Sequence, residues 1–228
     1  MSEPFTIITT VSPDFRDRFD TVFRPTWENA GAAEIVVHDI DAGSWPGNVR
    51  ERARHMRGEV LRRVGNGERV LFLDADCIVI RDLSGGFSPD HAISVARWPN
   101  PNMGVAFFNL AVDPARFTWP GFIMYVVTDI ERKVGRRLER DENPMLECDQ
   151  PVWRHYLQTV VAKVFRLPEW EYNYSEFDLP VWTRQLPNLR PILKVLHIKG
   201  HGDWQFAELD KKVAYAKTLW PEELSCIE

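Results

Sequence analysis

The chain is expected to fold as an α/β domain with a central, mostly parallel sheet flanked by helices. Three observations lead there. Strand-like and helix-like segments alternate over the first 74 residues, the pattern of a parallel sheet with covering helices. The run Arg69-Val70-Leu71-Phe72-Leu73-Asp74-Ala75-Asp76-Cys77-Ile78-Val79-Ile80 is an apolar strand pattern interrupted by two carboxylates spaced i, i+2. At 228 residues the chain fits one good-sized domain, and no internal repeat, low-complexity tract or long linker divides it. We therefore expect one domain over residues 1–228. Residues up to about 110 would form a nucleotide- and metal-binding half, and residues from about 111 an acceptor-binding half.

Taken in order, Phe5–Val11 predicts a buried first strand, and Ser12-Pro13 carries a helix-start signature. Phe15, Phe19, Val22 and Phe23 then recur at helical spacing until Pro25, which predicts the end of that helix. Glu34–Asp39 is a second strand. A helix follows on Ala53, Met56, Val60, Leu61 and Val64, closed by Gly65-Asn66-Gly67. The strand ending at Asp74 comes next. In the second half, Ala92–Ala96 and Val105–Asn109 predict strands, and Gly121–Leu138 an amphipathic helix with Phe122, Val126, Ile130 and Val134 on one face. Asp149–Leu157 reads as a short helix, Ile192–His197 as a strand after Pro-punctuated segments, and Trp204–Lys217 as the last helix.

Side chains two apart in a strand share a side, so Asp74 and Asp76 are expected to face one place. Like charges that close repel by several kcal/mol at an effective dielectric of about 20, so such a pair binds a divalent cation or shares a proton. The plainer alternative is a strand end whose acids turn into solvent. Ligands of parallel α/β sheets sit beyond the carboxyl ends of the strands, where these acids lie.

Composition narrows the classes. With 44% hydrophobic and 27% charged residues the chain is ordinary for a soluble globular protein, and no apolar run has the length of a membrane span. A net charge of −5 argues against a nucleic-acid partner held by global charge. Arginines nonetheless cluster at Arg50, Arg52, Arg54, Arg57, Arg62 and Arg63 and again over 132–140, leaving room for a local anion site. Cys77, Cys148 and Cys226 show no framework or metal spacing, and the polar start Met1-Ser2-Glu3-Pro4 is no signal peptide. A reducing, cytoplasmic compartment is the expectation.

Several segments together carry a family resemblance. Val70–Asp76 resembles a metal-binding D-x-D strand, and Asn102-Met103-Gly104-Val105-Ala106-Phe107-Phe108-Asn109 an N-x-G-x-x-x-x-N donor-sugar strand. Asp149-Gln150 resembles a D-Q pair at a helix start, Leu167-Pro168 with Asn173 an L-P…N segment, and His197-Ile198-Lys199-Gly200 an H-x-x-G metal segment. In that order they resemble nucleotide-sugar glycosyltransferases of the GT-A fold, closest to the glycogenin/galactosyltransferase-like family 8 group. The resemblance implies Asp74, Asp76 and His197 as ligands of Mn²⁺ or Mg²⁺, and a UDP-sugar donor whose sugar passes, with retention, to an acceptor hydroxyl. It implies donor contacts from Thr9, Thr10 and Val11, and from Ala75, Asn102, Gly104, Asn109 and Gly200. Asp149 and Gln150 would orient the donor sugar. Arg54 or Arg57 is placed to grip the diphosphate, or equally belongs to a solvated helix face. His197 alternatively caps a strand end, and Asp149 serves as a helix N-cap with or without the site role.

Two departures stand out. Asp203 occupies the place of the family's phosphate-gripping lysine, so Lys199, His201 or an upstream arginine would have to act instead. Pro151 replaces the second aspartate after the D-Q pair. The acceptor is open: a glycan, a lipid-linked saccharide, a protein, a small molecule or a modified nucleobase. Trp98, Trp170, Tyr172 and Trp182 are candidates to border its groove. Two other classes compete. A haloacid-dehalogenase-type phosphatase would use Asp74 as nucleophile and Asp76 as acid/base, but Ile78 stands where that motif carries Thr or Val, and no later paired-aspartate motif follows. A degenerate sugar- or nucleotide-binding module would keep the pocket without turnover.

Overall fold

In the computed structural model, β1 (Thr6–Val11) lies between β2 (Glu34–Asp39) and β3 (Arg69–Leu73) and runs parallel to both. The structure describes residues 3–96, 103–142, 149–159, 164–175, 179–198 and 206–227. Beyond β3 the direction reverses. β6 (Val105–Asn109) is antiparallel to β3, β5 (Ile93–Ala96) is antiparallel to β6, and β7 (Val164–Leu167) is parallel to β5. The order β2-β1-β3-β6-β5-β7 thus draws strands from both halves of the chain. Reversal at β3/β6 has a local consequence: Leu73 pairs with Val105, and the Asp74 N–H donates to the Gly104 carbonyl at 2.8 Å. The end of the acidic run is fixed against a glycine.

The strand expected to end at Asp74 ends at Leu73, and the apolar residues after the acids form a further strand. The run breaks at Asp74-Ala75-Asp76, where the Cys77 N–H donates back to the Asp74 carbonyl at 3.1 Å, and β4 (Cys77–Val79) leaves for a second sheet. There it pairs antiparallel with β8 (Val195–His197), Cys77 opposite His197. The two acids therefore converge through a turn rather than through strand alternation.

The free edge of β4 is covered by the first helical segment. α1 (Pro13–Arg18) does not stop at Pro25 but widens into a five-residue turn, Phe19–Phe23, and then tightens over Arg24–Ala30. Pro25 is tolerated because it opens that last tight segment, where a missing N–H costs little. Phe15, Phe19, Phe23 and Trp27, four residues apart, are all buried, and this apolar stripe outweighs the proline. Each such side chain contributes roughly 1.5–3 kcal/mol on burial. The segment also satisfies the strand edge: the Trp27 indole N–H donates to the Cys77 carbonyl at 2.8 Å, Thr26 Oγ1 accepts from Val79 N–H at 3.0 Å, and Asn29 Nδ2 donates to the Val79 carbonyl at 3.1 Å. It ends at Gly31, whose φ of +73° needs a glycine.

Sheet alternation splits the core in two. Ile7, Leu71 and Phe107 face the α1 side together with α7 (Phe206–Leu219), whereas Ile8, Phe72 and Phe108 face α2 (Trp45–Val64), α3 (Phe122–Glu139) and α4 (Asp149–Thr159). On α2 the charged Arg63 is 4% exposed and is held by Glu59 and Glu34 at 3.0 Å each and by Glu68 at 2.6 Å. Burial alone would push its guanidinium down, and the hydrogen bonds to Glu68, Glu59 and Glu34 more than offset that. Arg63→Ala would leave Glu59 buried beside a cavity. The expected cost is about 3 kcal/mol, read as a lowered urea midpoint.

Two elements fall in the stretch read as Pro-punctuated, β7 and α6 (Leu179–Leu189), the latter containing Pro187. One turn of helix, α5 (Glu169–Tyr172), follows Pro168. Among the described residues no helix is long and apolar enough to cross a membrane.

Candidate active site

The site forms where β3 ends, β6 begins and β8 ends. His197 is 3% exposed, and its Nε2 stands 3.1 Å from Asp76 Oδ1 and 3.7 Å from Asp74 Oδ2. Its Nδ1 meets Asn173 Oδ1 at 3.0 Å. An amide oxygen accepts, so Nδ1 carries the proton and Nε2 turns its lone pair toward the two acids. Lone pairs facing lone pairs require a cation between them or a second proton on the ring.

The residues present fit a divalent ion. Two ligands about 2.1 Å from an octahedral ion at right angles stand about 3.0 Å apart, close to the Asp76–His197 spacing. Asp76, Cys77 and His197 each place one ligand atom within 4.8 Å of the other two, a set that Asp74 does not join, although its Oδ2 lies 3.7 Å from His197 Nε2. Carboxylate with imidazole suits Mn²⁺. The Asn173 contact supplies the outer hydrogen bond that orients a ligating histidine.

Gly104 makes this convergence possible. A Cβ there would lie 2.6 Å from His197 Cε1 and closer still to Asp74 Oδ2, so any side chain would wedge the acid and the imidazole apart. Arg52 closes the other side: its Nη2 lies 2.8 Å from Asp74 Oδ1 and 3.0 Å from the Met103 carbonyl, and its Nη1 lies 3.4 Å from Asp149 Oδ2. Burial would lower the Arg52 pKa, and the carboxylates of Asp74, Asp149 and Asp76 raise it instead. Burial raises the Asp149 pKa, with Arg52 opposing and Asp74 adding to the rise.

Arg52 was not legible as the site arginine among the six of that cluster. Its signal is the stripe Arg52, Met56, Glu59, Arg63 on the buried side of α2, where an arginine needs acidic partners. Replacing it with lysine keeps the charge but cannot hold three acceptors with a planar fork. Losing one or two charged hydrogen bonds at about 1.5 kcal/mol each predicts a fall of roughly 10–100-fold in kcat/KM for Arg52→Lys. Steady-state kinetics on whatever donor the protein accepts checks this.

The other expected residues fall in several places. Asn109 is at the far end of β6, opposite Arg69, roughly 17 Å along the strand from Gly104. There its amide donates to the Ser88 carbonyl at 3.1 Å. Arg57 turns away from the acids to Glu131 of α3 at 2.6 Å, and Arg54 also bonds Glu131. Thr9 and Thr10 line a small cavity together with Arg52, His55, Met56, Phe72 and Leu73. Val11 is buried, Ala75 packs on the core between the acids, and Gln150 is exposed at the start of α4. Tyr172 and Trp182 are buried in the core, and Trp170 is 57% exposed. Asn102, Gly200, Trp98, Lys199, His201 and Asp203 lie outside the described residues.

No protein-family model matches the chain, and no curated protein matches it in sequence. Solved structures do. A glycosyltransferase involved in the glycosylation of the major capsid of PBCV-1 is similar with a TM-score of 0.60 at 13% identity, over 93% of this chain and 100% of that one. The glycosyltransferase GlyE of Streptococcus pneumoniae TIGR4 gives 0.51 at 15% identity, over 97% of this chain and 63% of its own. Mouse xyloside xylosyltransferase 1 gives 0.50 at 10% identity, over 86% and 97%. At these identities the likeness establishes the architecture: the chain has the GT-A fold of these enzymes.

Proposed function

We propose that the protein is a metal-dependent glycosyltransferase, moving a sugar from a UDP-sugar to an acceptor hydroxyl with retention of configuration. The observation that carries this is the convergence of Asp74, Asp76 and His197 around Gly104 at the carboxyl end of β3. The GT-A architecture supports it. Retention and the uridine base rest on the family resemblance of the motifs.

Asp74, Asp76 and His197 would hold Mn²⁺ or Mg²⁺, which when bound neutralises charge on a departing diphosphate. The chain's own residues do the rest. Asn173 keeps His197 in the tautomer whose lone pair faces the acids. Arg52 ties Asp74 to Asp149 and to the Met103 carbonyl, so the acidic turn and the start of α4 hold one spacing. Asp149 and Gln150, on the first turn of α4, orient the donor hydroxyls, and the Asp149 charge steadies positive charge developing at the sugar.

Incubation with UDP-sugars, following UDP release with Mn²⁺ and with EDTA, tests the assignment. Metal-dependent hydrolysis of one donor is expected. Undiminished turnover in EDTA, or hydrolysis of p-nitrophenyl phosphate in its place, would refute it.

A further inference from the structure

A second cleft opens on the far side of the segment that carries Asn173. Successive residues there point opposite ways: Asn173 turns its amide oxygen to His197 Nδ1, while the next residue, Tyr174, donates its phenol O–H to Gln185 Oε1 at 2.8 Å. Trp170 of α5, Tyr174, Ser175, and Gln185 and Asn188 of α6 line a cavity of about 390 Å³, within the size range of small-ligand sites.

Its chemistry is specific. The Trp170 indole is 57% exposed and stacks on no other ring among the described residues. Ser175 is 6% exposed, and its hydroxyl is buried without a hydrogen-bond partner among the described residues. Buried in the wall, that hydroxyl does not face a ligand in the cleft. With its oxygen taken by Tyr174, Gln185 turns amide N–H donors to the cleft, and Asn188 adds both a donor and an acceptor. Among the described residues Glu169 is the single charged residue of the lining, and none of them is a cation that could hold phosphate. A flat aromatic face flanked by two side-chain amides matches a neutral pyranose, whose C–H face packs on the ring while its hydroxyls find the amides.

We propose that the Trp170 cleft binds a neutral saccharide of the acceptor, separately from the donor centre. The acceptor role rests on the glycosyltransferase assignment above; the saccharide site itself does not. Maltotriose, cellotriose, chitotriose and lactose are titrated into the full chain, without metal or donor, by calorimetry and saturation-transfer NMR. At least one is expected to bind saturably. Trp170→Ala and Asn188→Ala should each weaken that binding roughly tenfold or more, and Asp76→Asn should leave it unchanged. No binding by any of the four, binding indifferent to both cleft variants, or binding lost in Asp76→Asn would overturn the proposal. Saccharide binding by a protein without metal-dependent donor hydrolysis would support the cleft and count against the proposed reaction.

Discussion

Asp76→Asn is expected to lower metal-dependent donor turnover by roughly 10³-fold or more while leaving the fold intact. The substitution keeps the side chain's size and removes the charge that faces His197 Nε2 at 3.1 Å. A neutral amide is a poor ligand for a hard cation, and its NH₂ would instead donate to the imidazole lone pair. The backbone at this position is secured independently, because the Asp76 carbonyl accepts from Ile198 N–H at 2.9 Å. Thermal unfolding of the metal-free variant should therefore stay near that of the parent. Turnover within tenfold of the parent would mean that this acid is not a ligand.

Gly104→Ala should be nearly as damaging through shape alone. The added carbon, 2.6 Å from His197 Cε1 and closer to Asp74 Oδ2, must displace one of them. Neither yields freely. His197 is fixed by Asn173 through Nδ1 and by the Tyr174 carbonyl through its backbone N–H at 2.9 Å, and Asp74 is fixed by Arg52 at 2.8 Å. A shift near 1 Å at a reacting centre costs roughly 10²-fold in rate. Overpacking adds about 1–3 kcal/mol of destabilisation, or roughly 2–12 °C in Tm for a chain of this size. Kinetics and a thermal melt of one preparation check both parts.

Much of this architecture was legible, and the misses have physical causes. β1, β2, β3, β5 and β6 announce themselves as apolar runs, and the position of Asp74 and Asp76 at a strand end follows from the sequence. β4 went unread because it is only three residues long, follows a turn without glycine or proline, and pairs in a second sheet with the distant β8. Pro25 misled because a buried stripe every four residues carried the helical path through it. α6 was obscured by Pro180 near its start and Pro187 inside it. At the site, Asn109 matched a motif whose spacing is that of a whole strand, which takes it to the opposite end of the sheet. Arg52 and Arg57 differ by five residues, enough on a helix to turn one to the acids and the other to Glu131.

Titration of Mn²⁺ by calorimetry, with saturating UDP, into the parent protein and into His197→Ala tests the central claim most directly. One ion per chain is expected for the parent, with affinity reduced roughly tenfold or more in the variant. Equal Mn²⁺ binding by the two proteins, or none by the parent, would contradict it.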